Sequence, residues 1–181
     1  GGNSDAIQSA FATFLAARLR AYHEYSQPVF VARDGDTIVG VVMLFRPGFS
    51  LPSRTVARLF IEARHELPTV LRTATLRDAY RVLAAHEPPA GIKERRYELE
   101  YIGVRPDRQG EGIGRYLLDT VHAFTDRDPA AEGVYLATAE AWSQEFYASA
   151  GYETVETIPV EDVHSDEGPF TAYHMCRPAE R

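Results

Sequence analysis

The stretch Tyr101-Ile102-Gly103-Val104-Arg105-Pro106-Asp107-Arg108-Gln109-Gly110-Glu111-Gly112-Ile113-Gly114 constrains this chain more than any other. A β-rich run enters it, glycines fall at every second position from 110 to 114, and a helical pattern leaves it. Glycine lets backbone N–H groups turn inward with no Cβ in the way, and a helix N-terminus adds partial positive charge. A strand, a glycine turn and a helix start in that order make a pocket for phosphate. Arg105, Arg108 and Arg115 raise the positive potential beside it. Gly103, inside the strand, predicts a bulge or a close approach of ligand to backbone.

Three phosphate-loop patterns compete for these residues. A dinucleotide fingerprint needs G-x-G-x-x-G, and counting from Gly110 and Gly112 puts Arg115 at the third glycine, so it fails. A Walker loop needs Gly-Lys followed by Ser or Thr, which is absent. The pyrophosphate loop of acyl-CoA enzymes, Q/R-x-x-G-x-G/A, is matched by Gln109, Gly112 and Gly114. On the six residues alone, a glycine turn with no ligand competes evenly with it.

The rest of the chain narrows the class. Its 181 residues fit one domain, 1–181, with 45% hydrophobic and 25% charged residues excluding wholesale disorder. The longest apolar run, Ile38 to Phe45, is far short of the ~20 residues of a membrane span, which predicts a soluble chain with no membrane partner. A net charge of −7 disfavours nucleic acid as a partner. Cys176 is the single cysteine, so no intrachain disulfide forms and a reducing cytoplasm is the expected home. Lys93 is the only lysine, a skew typical of GC-rich bacterial coding. The first residues, Gly1-Gly2-Asn3-Ser4, lack methionine and carry no secretory layout, so residues upstream are expected to be missing.

Periodicity predicts the elements. Ile7, Phe11, Phe14, Leu15, Leu19 and Tyr22 give a helix ending near Tyr25. Val29–Ala32 and Thr37–Phe45 are strands around Asp34-Gly35, a hairpin signal in which both turn residues tolerate positive φ. Ser53 caps a helix bearing Val56, Leu59, Phe60 and Ala63; a second helical pattern carries Leu76, Tyr80 and Leu83. Glu87–Glu94 is a mobile loop on composition. A strand over 97–104, a helix from Gly112 to about Arg127, a strand over 134–138 and a helix over 141–150 closed by Gly151 follow. Strands over 152–158 and 170–177 end the chain. Antiparallel pairs with one strand-helix-strand crossover make a mixed α+β sheet.

Thirty-odd residues past the loop stands Phe146-Tyr147-Ala148-Ser149-Ala150-Gly151-Tyr152. Val104-Arg105-Pro106, the loop and this second motif, in that order and spacing, resemble the GNAT N-acetyltransferase superfamily from about Pro28 onward. Within it the chain looks most like the puromycin N-acetyltransferase group. The resemblance implies a mostly antiparallel twisted sheet with a splayed strand over 97–104, and acetyl-CoA as co-substrate without a metal. It implies contacts to that co-substrate from Ile102, Val104, Arg108, Gln109, Gly110, Glu111, Gly112, Ile113, Gly114, Arg115, Ser143 and Tyr147. The acceptor would be the amine of a small molecule, with a second copy of the chain an admissible partner. Departures are Ala137, where the family often has Glu, Ser143, where Asn is common, and the missing strand ahead of the first hairpin.

Acetyl transfer to an amine, whose pKa when free is near ~10, needs a base. Glu98 and Glu100 are the candidates. Two apart, they share one face of a regular strand, with Glu100 ahead because it lies nearer the expected bulge. Tyr97 and Tyr101 take the other face as packing or substrate-lining groups. The resemblance implies Tyr147 as proton donor to the leaving thiolate and the backbone N–H near Val104 as oxyanion donor. Trp142 is a candidate wall of the acceptor pocket. The six histidines show no i, i+4 pair and no cysteine pair, so a metal site is not expected. A sensor that holds acyl-CoA without turnover, and an acetyltransferase acting on proteins, stay open as alternatives.

Overall fold

A computed structural model of the chain describes residues 15–62, 84–161 and 169–180. The start of the first predicted helix, the pattern over Leu76, Tyr80 and Leu83, and most of the last polar loop lie outside the described residues. The elements in order are helix α1 (15–24), strands β1 (Val29–Asp34) and β2 (Thr37–Phe45), helix α2 (Ser53–Glu62), strand β3 (Tyr97–Val104), helix α3 (Ile113–Thr125), strand β4 (Gly133–Thr138), helix α4 (Ala141–Ser149), and strands β5 (Glu153–Val160) and β6 (Phe170–Pro178). The sheet runs β1-β2-β3-β4-β6-β5, and only the β3–β4 pair is parallel. The mixed α+β reading is therefore correct, with element ends within a few residues of those expected.

Local chemistry sets the turns. The β1–β2 hairpin closes on Asp34 opposite Thr37, so its turn residues are Gly35-Asp36, one place later than expected. Only Gly35 takes positive φ, at 57°. At the end of α4, Gly151 has φ 90°. Its N–H donates to the Ala148 carbonyl and that of Tyr152 to the Tyr147 carbonyl, both at 3.1 Å, which closes the orphan carbonyls of the last turn.

β3 contains the irregularity that organises the sheet. Met43 pairs with Tyr101 and Leu44 with Leu99, which leaves Glu100 as an extra residue in β3. The bulge expected at Gly103 thus sits three residues earlier. One extra residue inverts the alternation of side chains. Tyr97 and Leu99 face α3, and beyond the bulge Ile102 and Val104 do so instead. Tyr101 is therefore on the α1 face, beside Tyr22, Met43 and Phe45, and not on the Tyr97 face as a regular strand would have it.

The core lies between the sheet and α3, where Leu117, Leu118 and Val121 are buried against Val42, Leu44, Leu99, Val134 and Leu136. Gly40 makes the close approach possible: a Cβ there would come within 3.0 Å of both Ile113 Cγ2 and Leu117 Cδ1. α1 covers the opposite face, with the Tyr22 and Phe45 rings stacked at 4.8 Å.

Candidate active site

β3 and β4 are joined only at Tyr97–Val134 and Glu98–Tyr135, and from Leu99 onward they part. The Arg105 N–H donates to the Val39 carbonyl in β2 at 3.0 Å. Alternation along an antiparallel strand then turns the Val104 N–H to the other side, into the gap that β4 leaves. The Gln109 side-chain amide reaches the Val104 carbonyl at 3.4 Å and so ties the loop to the end of the strand.

The loop delivers the chain to α3. Gly110 and Gly112 take φ 81° and 79°, and where a Cβ would stand on either there is open space. Gly112 is the N-cap of α3, with no side chain among the described residues capping the helix. The first helical bond runs from Tyr116 N–H to the Gly112 carbonyl, at 3.0 Å. The amides of Ile113, Gly114 and Arg115 have no partner within the helix, which suits a diphosphate. Gly114 lets α4 come close: its Cβ would lie 3.3 Å from the Phe146 ring. The arginines contribute less charge than their number suggests. Arg105 pairs with Asp107 at 2.7 Å, Arg108 with Asp34 and Glu111 at 2.9 Å, and Arg115 with Asp119 at 3.0 Å. The anion-binding character therefore rests on backbone amides.

A cavity of about 570 Å³ occupies the gap between the end of β3, the loop, the start of α3 and α4. Its lining includes Ile102, Val104, Arg108, Gln109, Gly110, Gly112, Ile113, Gly114, Arg115, Ser143 and Tyr147. Glu111, expected with them, is outside the lining and holds Arg108 instead. Gly103 lines the gap with room beside it. Phe146 and Trp142 complete the wall. Sequence reasoning misses Phe146, although its place in the Phe-Tyr motif is a signal for it. Trp142, expected at the acceptor side, stands 69% exposed at the mouth of this same cavity.

Tyr147 projects from α4 into the cavity lining while its ring is buried against Phe146 and Tyr152. Burial pushes its phenol up to about 12, so it keeps its proton throughout the neutral range. No hydrogen bond to its hydroxyl is found among the described residues. Glu98 and Glu100 stand on the opposite face of β3, toward α1. Glu100 is held by Arg18, whose guanidinium lies over the Phe45 and Tyr101 rings, and by the Tyr22 hydroxyl. Glu98 has no such clamp among the described residues. Burial raises its carboxyl above the ordinary range, with Lys93 and Arg18 opposing and Glu87 reinforcing the shift. Among the described residues, no group of histidine, cysteine and carboxylate side chains could hold a metal ion, and no helix is long and apolar enough to cross a membrane.

Comparison with known proteins agrees with this geometry. No curated protein matches the chain. YncA from Salmonella typhimurium, solved with its cofactor acetyl-CoA, is similar at TM-score 0.57 and 14% identity, covering 91% of this chain and 72% of that one. Naa20 from Chaetomium thermophilum, in complex with a bisubstrate analogue, is similar at 0.53 and 22%, covering 91% and 72%. Nourseothricin acetyltransferase is similar at 0.50 and 18%, covering 85% and 66%. The family model "Acetyltransferase (GNAT) family" matches residues 4–152, so the chain belongs to the GNAT family of acetyltransferases.

Proposed function

We propose that the chain transfers the acetyl group of acetyl-CoA to the amine of a small molecule by direct attack within a ternary complex. The observation that carries the reading is the parting of β3 from β4 beside an uncapped, glycine-led helix start. Acetyl-CoA supplies an acyl group activated as a thioester. The residues fit it: the α3 amides suit its diphosphate, and the gap along Ile102–Val104 has open space beside Gly103 for its arm.

Each remaining need of the reaction has a group at hand. The Val104 N–H is turned toward an oxyanion in the gap. The Tyr147 hydroxyl is protonated, without a hydrogen bond among the described residues, and in the wall, which suits donation to a departing thiolate. The amine must lose a proton before or during attack. Of the two carboxylates, Glu100 is occupied by Arg18 and Tyr22, and this favours Glu98 as the base. A base whose pKa is raised toward the working pH is the more effective one.

The test is CoA release with a panel of small primary amines, corrected for hydrolysis, alongside a panel of N-terminal peptides. Turnover with small amines and not peptides supports the reading. Peptide turnover alone transfers it to a protein acetyltransferase. Micromolar CoA binding with no turnover on either panel identifies a sensor, the outcome that Ala137 and Ser143 would then explain.

A further inference from the structure

Trp142 is the single tryptophan of the chain, and acetyl transfer as derived above leaves it without a task. An indole is ordinarily buried over most of its surface. This one is the most exposed large apolar side chain among the described residues, and it stands in the wall of the gap, at its mouth. No ring or guanidinium stacks on it among the described residues. Its flat faces are open where a ligand leaves the gap.

The order of groups along the gap says which part of a ligand meets it. β3 and β4 are parallel, so the helices that follow them, α3 and α4, begin at the same edge of the sheet. The first turn of α3 lies against Phe146 of α4, since a Cβ on Gly114 would come within 3.3 Å of that ring. Trp142 precedes Phe146 by four residues, on the same side of α4 and one turn nearer its start. Tyr147, at the reacting end, is the buried residue of that helix. With the thioester beside Val104 and Tyr147 and the diphosphate on the amides of residues 113–115, only the nucleoside of CoA is left to emerge at the mouth. Arg115, also in the lining, is bound to Asp119 and to the Ser149 carbonyl. The open flat surface there is the indole, and a purine stacks on such a surface. We propose that Trp142 is the stacking platform for the purine of CoA. It thereby selects an acyl donor that ends in a nucleotide over one whose pantetheine phosphate is attached to a protein. The gap and the amides hold pantetheine phosphate whatever it is joined to, so only a group beyond the phosphates tells the two donors apart. The inference rests on the reading of the gap as an acetyl-CoA site.

Binding is the readout, so no acceptor amine has to be known. Calorimetry compares CoA with pantetheine 4′-phosphate on wild type, Trp142→Ala, Trp142→Phe and Tyr116→Ala. Tyr116 is the next most exposed large apolar side chain and lies on α3 outside the lining of the gap. Losing a base–aromatic stack to alanine weakens binding at least ~5-fold, so Trp142→Ala should bind CoA that much more weakly. Its affinity for pantetheine 4′-phosphate should match wild type, and Tyr116→Ala should match wild type with both probes. Trp142→Phe keeps a ring and should retain most of the CoA affinity. In wild type, the emission of the single tryptophan should change on titration with 3′,5′-ADP, which carries the purine without the arm, and that arm of the test needs no variant to fold. Equal CoA affinity in wild type and Trp142→Ala overturns the inference. So does an equal loss for both probes, which would put the indole on the arm, and so does a loss confined to Tyr116→Ala. A wild-type protein that takes up neither CoA nor pantetheine 4′-phosphate overturns the acetyl-CoA reading itself, and the platform with it.

Discussion

Tyr147 is legible in the sequence alone, because Phe-Tyr-x-x-x-Gly is a local pattern that places one phenol on one helix. Folding adds that the ring packs while the hydroxyl has no hydrogen bond among the described residues. Tyr147→Phe should therefore lower kcat ~10²–10⁴-fold, the usual contribution of a positioned acid, with acetyl-CoA affinity within a few-fold of wild type. A stopped-time CoA-release assay and a thermal melt on one preparation check it, and a fully active variant removes tyrosine from the mechanism. The carboxylates are legible only as a pair. What separates them is Arg18 and Tyr22, some eighty residues away in sequence and brought in by α1. Glu98→Gln should cut turnover ~10²-fold or more, and it should hold or raise stability at neutral pH by removing a poorly solvated charge. Glu100→Gln should cost ~1–3 kcal/mol of stability, because it strips a partner from a mostly buried guanidinium. Urea unfolding beside kcat for both variants reads the contrast. Equal stability losses would contradict it.

The elements are nearly all legible, since strands, helices and turns follow from periodicity and from glycine and proline. The β3 bulge is not. It arises from register against β2, where Leu44 meets Leu99 and Met43 meets Tyr101, and Gly103, the residue that suggests a bulge, lies three places beyond it. Its consequence is that Tyr101 changes face. The fit of α3 onto the sheet is equally silent, because Gly40 reads as an ordinary glycine within an apolar run. Its missing Cβ is what lets Ile113 and Leu117 down onto β2. Gly40→Ala should lose ~1–3 kcal/mol by overpacking and lift the start of α3, weakening CoA binding as well. Denaturant unfolding and a CoA titration on the same variant test both halves. Wild-type values for both would mean that the helix accommodates a methyl there without moving.

For the whole molecule, the crossover from β3 through α3 to β4 puts the gap at the centre of the sheet and a buried histidine in the last turn of α3. His122, in the last turn of α3, is buried with Nε2 3.2 Å from the Tyr152 hydroxyl. Burial, with Arg177 nearby, pushes the ring down to about 4. An unfolded histidine titrates near ~6.5, so between those values the unfolded chain binds the extra proton and stability falls as pH drops. The slope is at most ~1.4 kcal/mol per pH unit, and His122→Gln should flatten it over that window. Urea unfolding at pH 7 and pH 5 measures the change. The central claim, that backbone amides at the glycine loop cradle acetyl-CoA, meets its most direct test in calorimetry of CoA binding to Gly112→Ala beside Gly91→Ala. Both glycines have φ near 80° and open space around the missing Cβ, 79° at Gly112 and 82° at Gly91, so both variants carry the same backbone strain. Only Gly112 lines the gap. The account predicts at least ~10-fold weaker binding, about 1.4 kcal/mol, for Gly112→Ala and unchanged binding for Gly91→Ala. Equal affinity in the two folded variants would contradict it.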